Sequence, residues 1–274
     1  MAGALFDAAA DWARRHGLDT LWGPKGFLAI DGQGLLVEGF EHRAAVGVAY
    51  NCPYYGPLLE HVGFQPALDF LSCYMDRQAN LPERYLAVAE KVRRRSGLRT
   101  AQFASKRALR AMVPRVAAAY NGAFSEVQGF VPLTEREAVA VADRILAIAD
   151  PTMIKVLLHG DDVAGFVIAY PDLAAAVQRC RGRLWPTGWV HLLREFKRTP
   201  WLNFNGIAIL PQYRGVGGNA LLYAELYASL IGRTQFQYAE LVQVQETNTR
   251  MVKELEALQV RPFKRHRIYR LALA

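Results

Sequence analysis

The feature that most constrains this chain is a stretch where an apolar run passes through closely spaced glycines into a helical pattern. Trp201 to Leu210 reads as a strand, and Pro211-Gln212-Tyr213-Arg214-Gly215-Val216-Gly217-Gly218-Asn219 follows as a turn. Leu222, Leu226 and Leu230 then recur every fourth residue, and Gly232 closes the helix they define. Glycines at such a turn let the backbone bend tightly and gather several N–H groups into one concave patch. The helix start adds its own unbonded N–H groups and the positive end of its dipole. Together they suit a phosphate or pyrophosphate, with Arg214 as a charged donor. The pattern is not a dinucleotide fingerprint, which needs Gly-x-Gly-x-x-Gly early in a βαβ unit, and it lacks the Gly-Lys-Ser/Thr of a Walker loop. A glycine turn without a ligand would look the same, so the rest of the chain has to decide.

That rest reads as alternating helices and strands. Leu5, Ala8, Ala9 and Trp12 mark a first helix. Leu18–Trp22 and Gly34–Phe40 read as extended, Tyr54–Val62 as a short helix and Pro66–Tyr74 as a strand. Pro82–Ser96 is a charged connecting helix. Leu98–Phe103 is a strand, followed by one helix through Leu109, Met112, Val113 and Val116. Thr134-Glu-Arg-Glu137 is a capping box. It opens a helix with Val141, Ile145 and Ile148 inward that ends at Asp150-Pro151. Met153–His159 and Val163–Tyr170 form a hairpin across Gly160-Asp161-Asp162. Residues 171–200 read as a loop. In Trp201–Leu210 the apolar alternation slips by one residue at Asn205-Gly206, which predicts a β-bulge. Tyr238–Val244 is a strand, Met251, Val252, Leu255 and Leu258 mark a last helix, and Arg267–Leu273 is a last strand.

Composition narrows the chemistry. Of 274 residues 52% are apolar, enough for a full core without staples. The three cysteines, Cys52, Cys73 and Cys180, have neither paired spacing nor a nucleophile signature, which favours buried thiols and a reducing cytosol. The six histidines are scattered, so no metal site is expected. No Gly-x-Ser-x-Gly elbow occurs. Met1–Gly17 carries Asp7 and Asp11 and no basic run, so it does not read as a targeting signal, and no apolar run is long enough to span a membrane. The net charge of +8 is concentrated at Lys91–Arg95 and Lys264–Arg267. These clusters read first as solvated faces and second as attraction for an anion.

Helices, a hairpin, a long strand, the glycine turn with its helix, and then strand-helix-strand is an order that resembles the GNAT N-acetyltransferase superfamily. Gly206 to Leu222 is similar to that superfamily's acyl-CoA pyrophosphate motif, written Q/R-x-x-G-x-G/A, and Glu246-Thr247-Asn248 to its next motif, where an Asn opens the last helix. More narrowly, Trp22-Gly23-Pro24, Gly34–Phe40, Tyr50-Asn51-x-Pro53-Tyr54-Tyr55, Gly129–Thr134 and Arg267-Ile268-Tyr269 resemble a bacterial group with two such domains in tandem. The resemblance implies an α/β fold with a mixed central sheet flanked by helices, preceded by a partial second unit of the same kind. Residues 1–75 would be the C-terminal half of a first domain, 76–96 a connecting helix and 97–274 the acyltransferase domain. Leu59, Glu60, Val62 and Pro66 match Leu255, Glu256, Leu258 and Pro262 at one offset, as a degenerate repeat would.

The resemblance also implies a mechanism. Acetyl-CoA or another acyl-CoA lies between two splayed parallel strands, here Trp201–Leu210 and Tyr238–Val244. Ile207, Ala208, Ile209, Gln212, Arg214, Gly215, Val216, Gly217, Gly218, Asn219 and Asn248 would hold it. A small-molecule or peptide amine attacks the thioester directly, with Glu240 or Glu246 as base and Tyr269 as acid. The sequence departs from the family at Leu255, where a Tyr often stands, and in a turn one residue shorter than the commonest form. Other readings are aminoacyl transfer from a charged tRNA and a non-catalytic CoA-binding or structural protein. A nucleic-acid partner is not favoured, a membrane partner is not expected, and an exposed sheet edge in the partial first domain would suit a homodimer. Gly217→Glu, placing a carboxylate in the pyrophosphate seat, is the obvious test.

Overall fold

The computed structural model describes residues 2–26, 31–76, 80–127 and 129–273. The chain forms two compact units, Met1–Tyr74 with Val242–Ala274, and Met75–Leu241. These units are drawn differently from the sequence reading, because the end of the chain returns to the first of them. The reason lies in one strand.

In the first unit, helix α1 (Ala2–Arg15) precedes short strands β1 (Thr20–Gly23) and β2 (Leu35–Glu38), helix α2 (Tyr55–His61) and strand β3 (Gln65–Asp76). The C-terminal segment adds helix α10 (Thr249–Ala257) and strand β9 (Arg261–Ala272). Strand β9 pairs antiparallel with β1, β2 and β3, so the unit cannot form its sheet without the far end of the chain. Strand β9 starts six residues before the apolar run that marks it, because Arg261–His266 are held by pairing with β2 and β3 and not by an apolar pattern of their own. Leu35, Leu59, Phe64 and Tyr269 make the core, with Phe6, Leu21, Val62 and Leu271 packed on it. Burying a side chain such as Phe64 contributes roughly 2 kcal/mol.

The repeat seen in sequence has a structural counterpart. Helix α2 leads into β3 as α10 leads into β9, and both strands have twelve residues. The offset that relates Leu59 to Leu255 also relates Gln65 to Arg261 and Asp76 to Ala272. It relates Phe70 to His266 as well, and those two are direct partners across the β3–β9 ladder. The two copies therefore pair around an approximate local twofold. Asn51 has no share in it, because its side chain bonds the backbone N–H and C=O of Leu36 at 2.7 and 3.2 Å instead of capping α2.

The basic run 264–267 is not a solvated face. Lys264 is buried and donates to the Arg43 carbonyl, and Arg265 and Arg267 both bind the buried Asp69.

The second unit begins with helix α3 (Glu83–Arg95) and strand β4 (Leu98–Ala101). Helices α4 (Lys106–Ala111), α5 (Val113–Phe124) and α6 (Glu135–Ile148) follow. The single helix expected at 109–116 is two, because Pro114 has no N–H and suits the first turn of a new helix. Thr134 and Glu137 complete the capping box of α6. Strands β5 (Ile154–His159) and β6 (Asp162–Pro171) make the hairpin. Both are buried over nearly their full length, with α5 packing on β6 and α9 (Gly218–Ile231) on β5. A strand covered on both faces carries a continuous apolar run, as these do. Residues 171–200 are not a loop but hold helices α7 (Ala174–Arg179) and α8 (Gly188–Arg198). Strand β7 (Trp201–Ile209), α9 and the first half of β8 (Tyr238–Gln245) complete the unit. Its strand order is β4-β5-β6-β7-β8, antiparallel up to β7 and parallel between β7 and β8.

Candidate active site: a parting strand pair and a glycine turn

The second unit contains the strand, turn and helix that dominate the sequence. Strand β7 pairs with β8 only from Trp201 to Phe204, opposite Tyr238 to Leu241. On its other side β7 follows β6 as far as Ile209, with the register slipping between Gly206 and Phe204 so that Asn205 is the extra residue. That is the bulge the alternation predicts. A bulge bends its strand and raises the local twist, and here it sits where the parallel pairing stops. Successive N–H groups of a strand face opposite sides, so Asn205–Ile209 present part of their backbone on the side where β8 no longer pairs. Ala208 is buried there, and Ile207 and Ile209 are half-buried.

The glycine turn follows directly. Gly215 has φ +82° and Gly217 φ +88°, a region that costs an L side chain energy, and Gly217 is the N-cap of α9 with no side chain capping it. The glycines have different reasons to be glycine. A Cβ on Gly217 would lie 2.7 and 2.8 Å from Val88 and Val92 of α3, and one on Gly218 would meet Leu157 at 2.9 Å. Those two permit close packing of α9. A Cβ on Gly215 meets nothing within 4 Å, so the open part of the turn is at Gly215, flanked by exposed Gln212 and Val216. This bears on the proposed substitution: a Glu at 217 would be driven against α3 and would not report on a phosphate. Arg214 is also committed elsewhere. Its guanidinium donates to the Ile209 carbonyl at 3.0 Å and the Ala123 carbonyl at 2.9 Å, and pairs with Glu126 at 3.3 Å. It ties the turn to the end of α5, leaving backbone N–H groups as the turn's donors toward an anion. An open glycine at an uncapped helix start fits a pyrophosphate group without Arg214.

Beside the bulge lie buried polar side chains. Glu240 and Asn203 are opposite each other across the β7–β8 ladder, and both are fully buried. Asp172, at the end of β6, is buried as well. Its Oδ1 accepts from the Ala174 N–H at the start of α7, and its Oδ2 is 3.5 Å from Asn203 Nδ2. Tyr170 is opposite Asn203 on β6, and burial, then the Asp172 carboxylate, raises its phenol well above the ordinary value. Asp172 was missed from sequence, since a single Asp after a strand carries no signal.

The remaining expected site residues belong to the first unit. Asn248 is the N-cap of α10, accepting from the Met251 N–H at 3.1 Å. Glu246 pairs with Arg265 at 2.9 Å within the Asp69 cluster. Tyr269 is 1% exposed in the core, its hydroxyl 3.4 Å from Glu60 Oε1, and burial raises its pKa. Leu255 is buried too. Among the described residues no group of His, Cys, Asp and Glu is arranged for a metal ion, and no helix is long and apolar enough to cross a membrane.

No protein-family model matches the chain. Among solved structures, a GCN5-related N-acetyltransferase from Sphaerobacter thermophilus aligns over 96% of the chain with a TM-score of 0.54 at 13% identity. A tandem GNAT protein from the clavulanic acid biosynthesis pathway aligns over 99% with a TM-score of 0.52 at 13% identity. The chain has the GNAT fold. At these identities the likeness concerns the fold. In sequence, the chain is 26% identical over 275 residues to protein YghO of Escherichia coli, covering 97% of the chain and 69% of that protein. It is 30% identical over 196 residues to the bacterial ceramide synthase of Caulobacter vibrioides, covering 70% of the chain. It spans 50% of the ceramide synthase and 64% of the Sphaerobacter protein.

Proposed function

We propose that this GNAT chain transfers an acyl group from acyl-CoA to a primary amine. The observation that carries the reading is the end of β7–β8 pairing at Phe204 and Leu241, immediately before a glycine turn that is open at Gly215. A strand whose backbone groups face a gap needs polar partners there, and the amides of a pantetheine arm can supply them. When bound, acyl-CoA provides the activated thioester. The chain's own part is to hold that arm along Asn205–Ile209, to seat the pyrophosphate at the start of α9 and to polarise the carbonyl with backbone N–H groups.

Glu240 is the residue placed to take the proton. Only the neutral amine attacks, so an ammonium must first be deprotonated. The amine nitrogen bonds to the acyl carbon, the carbon–sulfur bond breaks, and CoA leaves as its thiol or thiolate. Asn203 and Asp172, beside Glu240, would orient the amine. Glu246 and Tyr269 lie in the first unit and are not needed for this scheme. For the acceptor, the likeness to a ceramide synthase supports a long-chain amine, because a ceramide is the amide of a fatty acid with a long-chain amino alcohol.

Isothermal titration with acetyl-CoA and a long-chain acyl-CoA tests the seat. Gly215→Asp and Gly215→Asn have the same shape, and both tolerate positive φ better than other residues. The Asp variant should bind at least about tenfold more weakly than the Asn variant, a difference of about 1.4 kcal/mol. Equal binding by the two, or none by folded wild type, would sink the reading. Glu240→Gln should lower amide formation, followed by mass spectrometry, by on the order of a hundredfold while acyl-CoA binding is retained.

A further inference from the structure

We infer that the α7–α8 hairpin docks this protein on an anionic lipid surface. The segment from Arg181 to Trp189 is exposed except at Gly188. Trp185 is 83% exposed, Leu184 58% and Trp189 50%, and Leu193 one turn further along α8 is 59% exposed. Isolated apolar residues on a surface need no explanation, but two tryptophans and two leucines on one hairpin form a patch.

The geometry of α8 is that of an interfacial helix. At roughly 100° per residue, Trp189 and Leu193 share one flank of the exposed arc, Lys197 lies at its middle, and Arg194 and Arg198 lie on the far flank. All five are exposed, whereas Leu192 and Phe196 are half-buried and Glu195 is buried. Such an arrangement suits a helix lying in the plane of a membrane, with indoles at headgroup level and cations toward the phosphates.

Charge selects the occupant. Between Cys180 and Thr199 the charged side chains are Arg181, Arg183, Arg194, Glu195, Lys197 and Arg198. Glu195 is turned inward and paired with Arg179 at 2.8 Å, which also fastens α8 to α7. The five exposed charges are therefore all positive, and among the described residues none of them forms an ion pair. A ring of cations around an aromatic and aliphatic tip complements anionic headgroups. The tip is held in shape before it meets a surface, since the Trp189 indole donates to the Pro186 carbonyl at 2.8 Å and the Trp189 amide to the Leu184 carbonyl at 3.1 Å.

The inference is independent of the acyl-transfer reading, because docking needs no acyl-CoA. The full chain is mixed with phosphatidylcholine vesicles with and without phosphatidylglycerol and floated on a density gradient. The expected result is flotation with the anionic vesicles, loss of it at high salt, and a blue shift of tryptophan emission on binding. Trp185→Ala with Trp189→Ala, and separately Arg183→Glu with Arg194→Glu, should each reduce the bound fraction by roughly tenfold or more. Trp12→Ala, an exposed tryptophan in the first unit, should leave it unchanged. No flotation by folded protein, or flotation unaffected by both double variants, overturns the inference. A concentration-dependent dimer in solution scattering that the tryptophan variant abolishes, without flotation, also overturns it and makes the patch a contact between copies.

Discussion

Asp69 is the clearest case of a residue whose role the sequence conceals. It is 6% exposed on β3 and accepts from Arg265 at 2.9 Å and from Arg267 at 2.7 Å to each oxygen. Burial alone would raise its carboxyl, but the bonds from Arg267 and Arg265 outweigh that and hold it below the ordinary value. Asp69→Asn removes the carboxylate that two guanidinium groups of one strand share, although Arg265 keeps Glu246 at 2.9 Å and Glu38 at 3.3 Å. Since both are about a quarter exposed, solvent screens part of the loss, and a destabilisation of about 2 to 3 kcal/mol is expected in urea unfolding. His266, on the same strand, is fully buried, donates through Nε2 to the Ala49 carbonyl, and has its pKa lowered to about 4, chiefly by burial, with Lys264 adding. A depressed folded pKa means that the unfolded chain binds the proton first. The stability that neutral His266 contributes is present above about pH 6.5 and is lost as pH falls from there toward 4. The full loss is about 3 kcal/mol, of which roughly 2 falls between pH 7 and pH 5, so urea midpoints at those two values should show it, with His266→Leu flattening the difference.

At the scale of elements, the packing of α9 on α3 explains more of the glycine turn than ligand binding does. Gly217→Ala should cost about 2 kcal/mol, partly from positive φ and partly from contact with Val88 and Val92. Val92→Ala in the same chain should recover the steric part and leave the backbone part, and thermal melts of the single and double variants separate the two. The capping box is simpler. Thr134→Ala should cost about 1 kcal/mol in the same melts, because the Glu137 N–H loses its acceptor at the start of α6. Most elements were legible because their signals are local: period, caps, the Asp161-Asp162 turn and the bulge at Asn205. Helices α7 and α8 were not. Their inward residues include Glu195, and their outward ones include Trp189 and Leu193, so the usual pattern of apolar inside and polar outside is broken there.

On the scale of the whole molecule, the first unit is made from both ends of the described chain. Strand β9 is the common partner of β1, β2 and β3. A chain ended after Leu241 should therefore lose protection in β1, β2 and β3 by hydrogen exchange, while α9 and β5 stay protected. Protection retained in β3 would contradict this.

Sequence alone determined the α/β class, the order of most elements, the bulge and the strand-turn-helix unit, because each rests on contacts between near neighbours along the chain. It also raised Glu240 and Glu246 as candidate bases and Tyr269 as a weaker candidate acid. Tertiary structure set Glu240 opposite Asn203 on the β7–β8 ladder and put Glu246 and Tyr269 in the first unit. It likewise decided that Gly217 packs against α3 while Gly215 stays open, and that β9 returns to the first unit. The physical reason is common to all three. Burial and pairing depend on residues far apart in the chain, and no periodicity records which distant surface a side chain will meet.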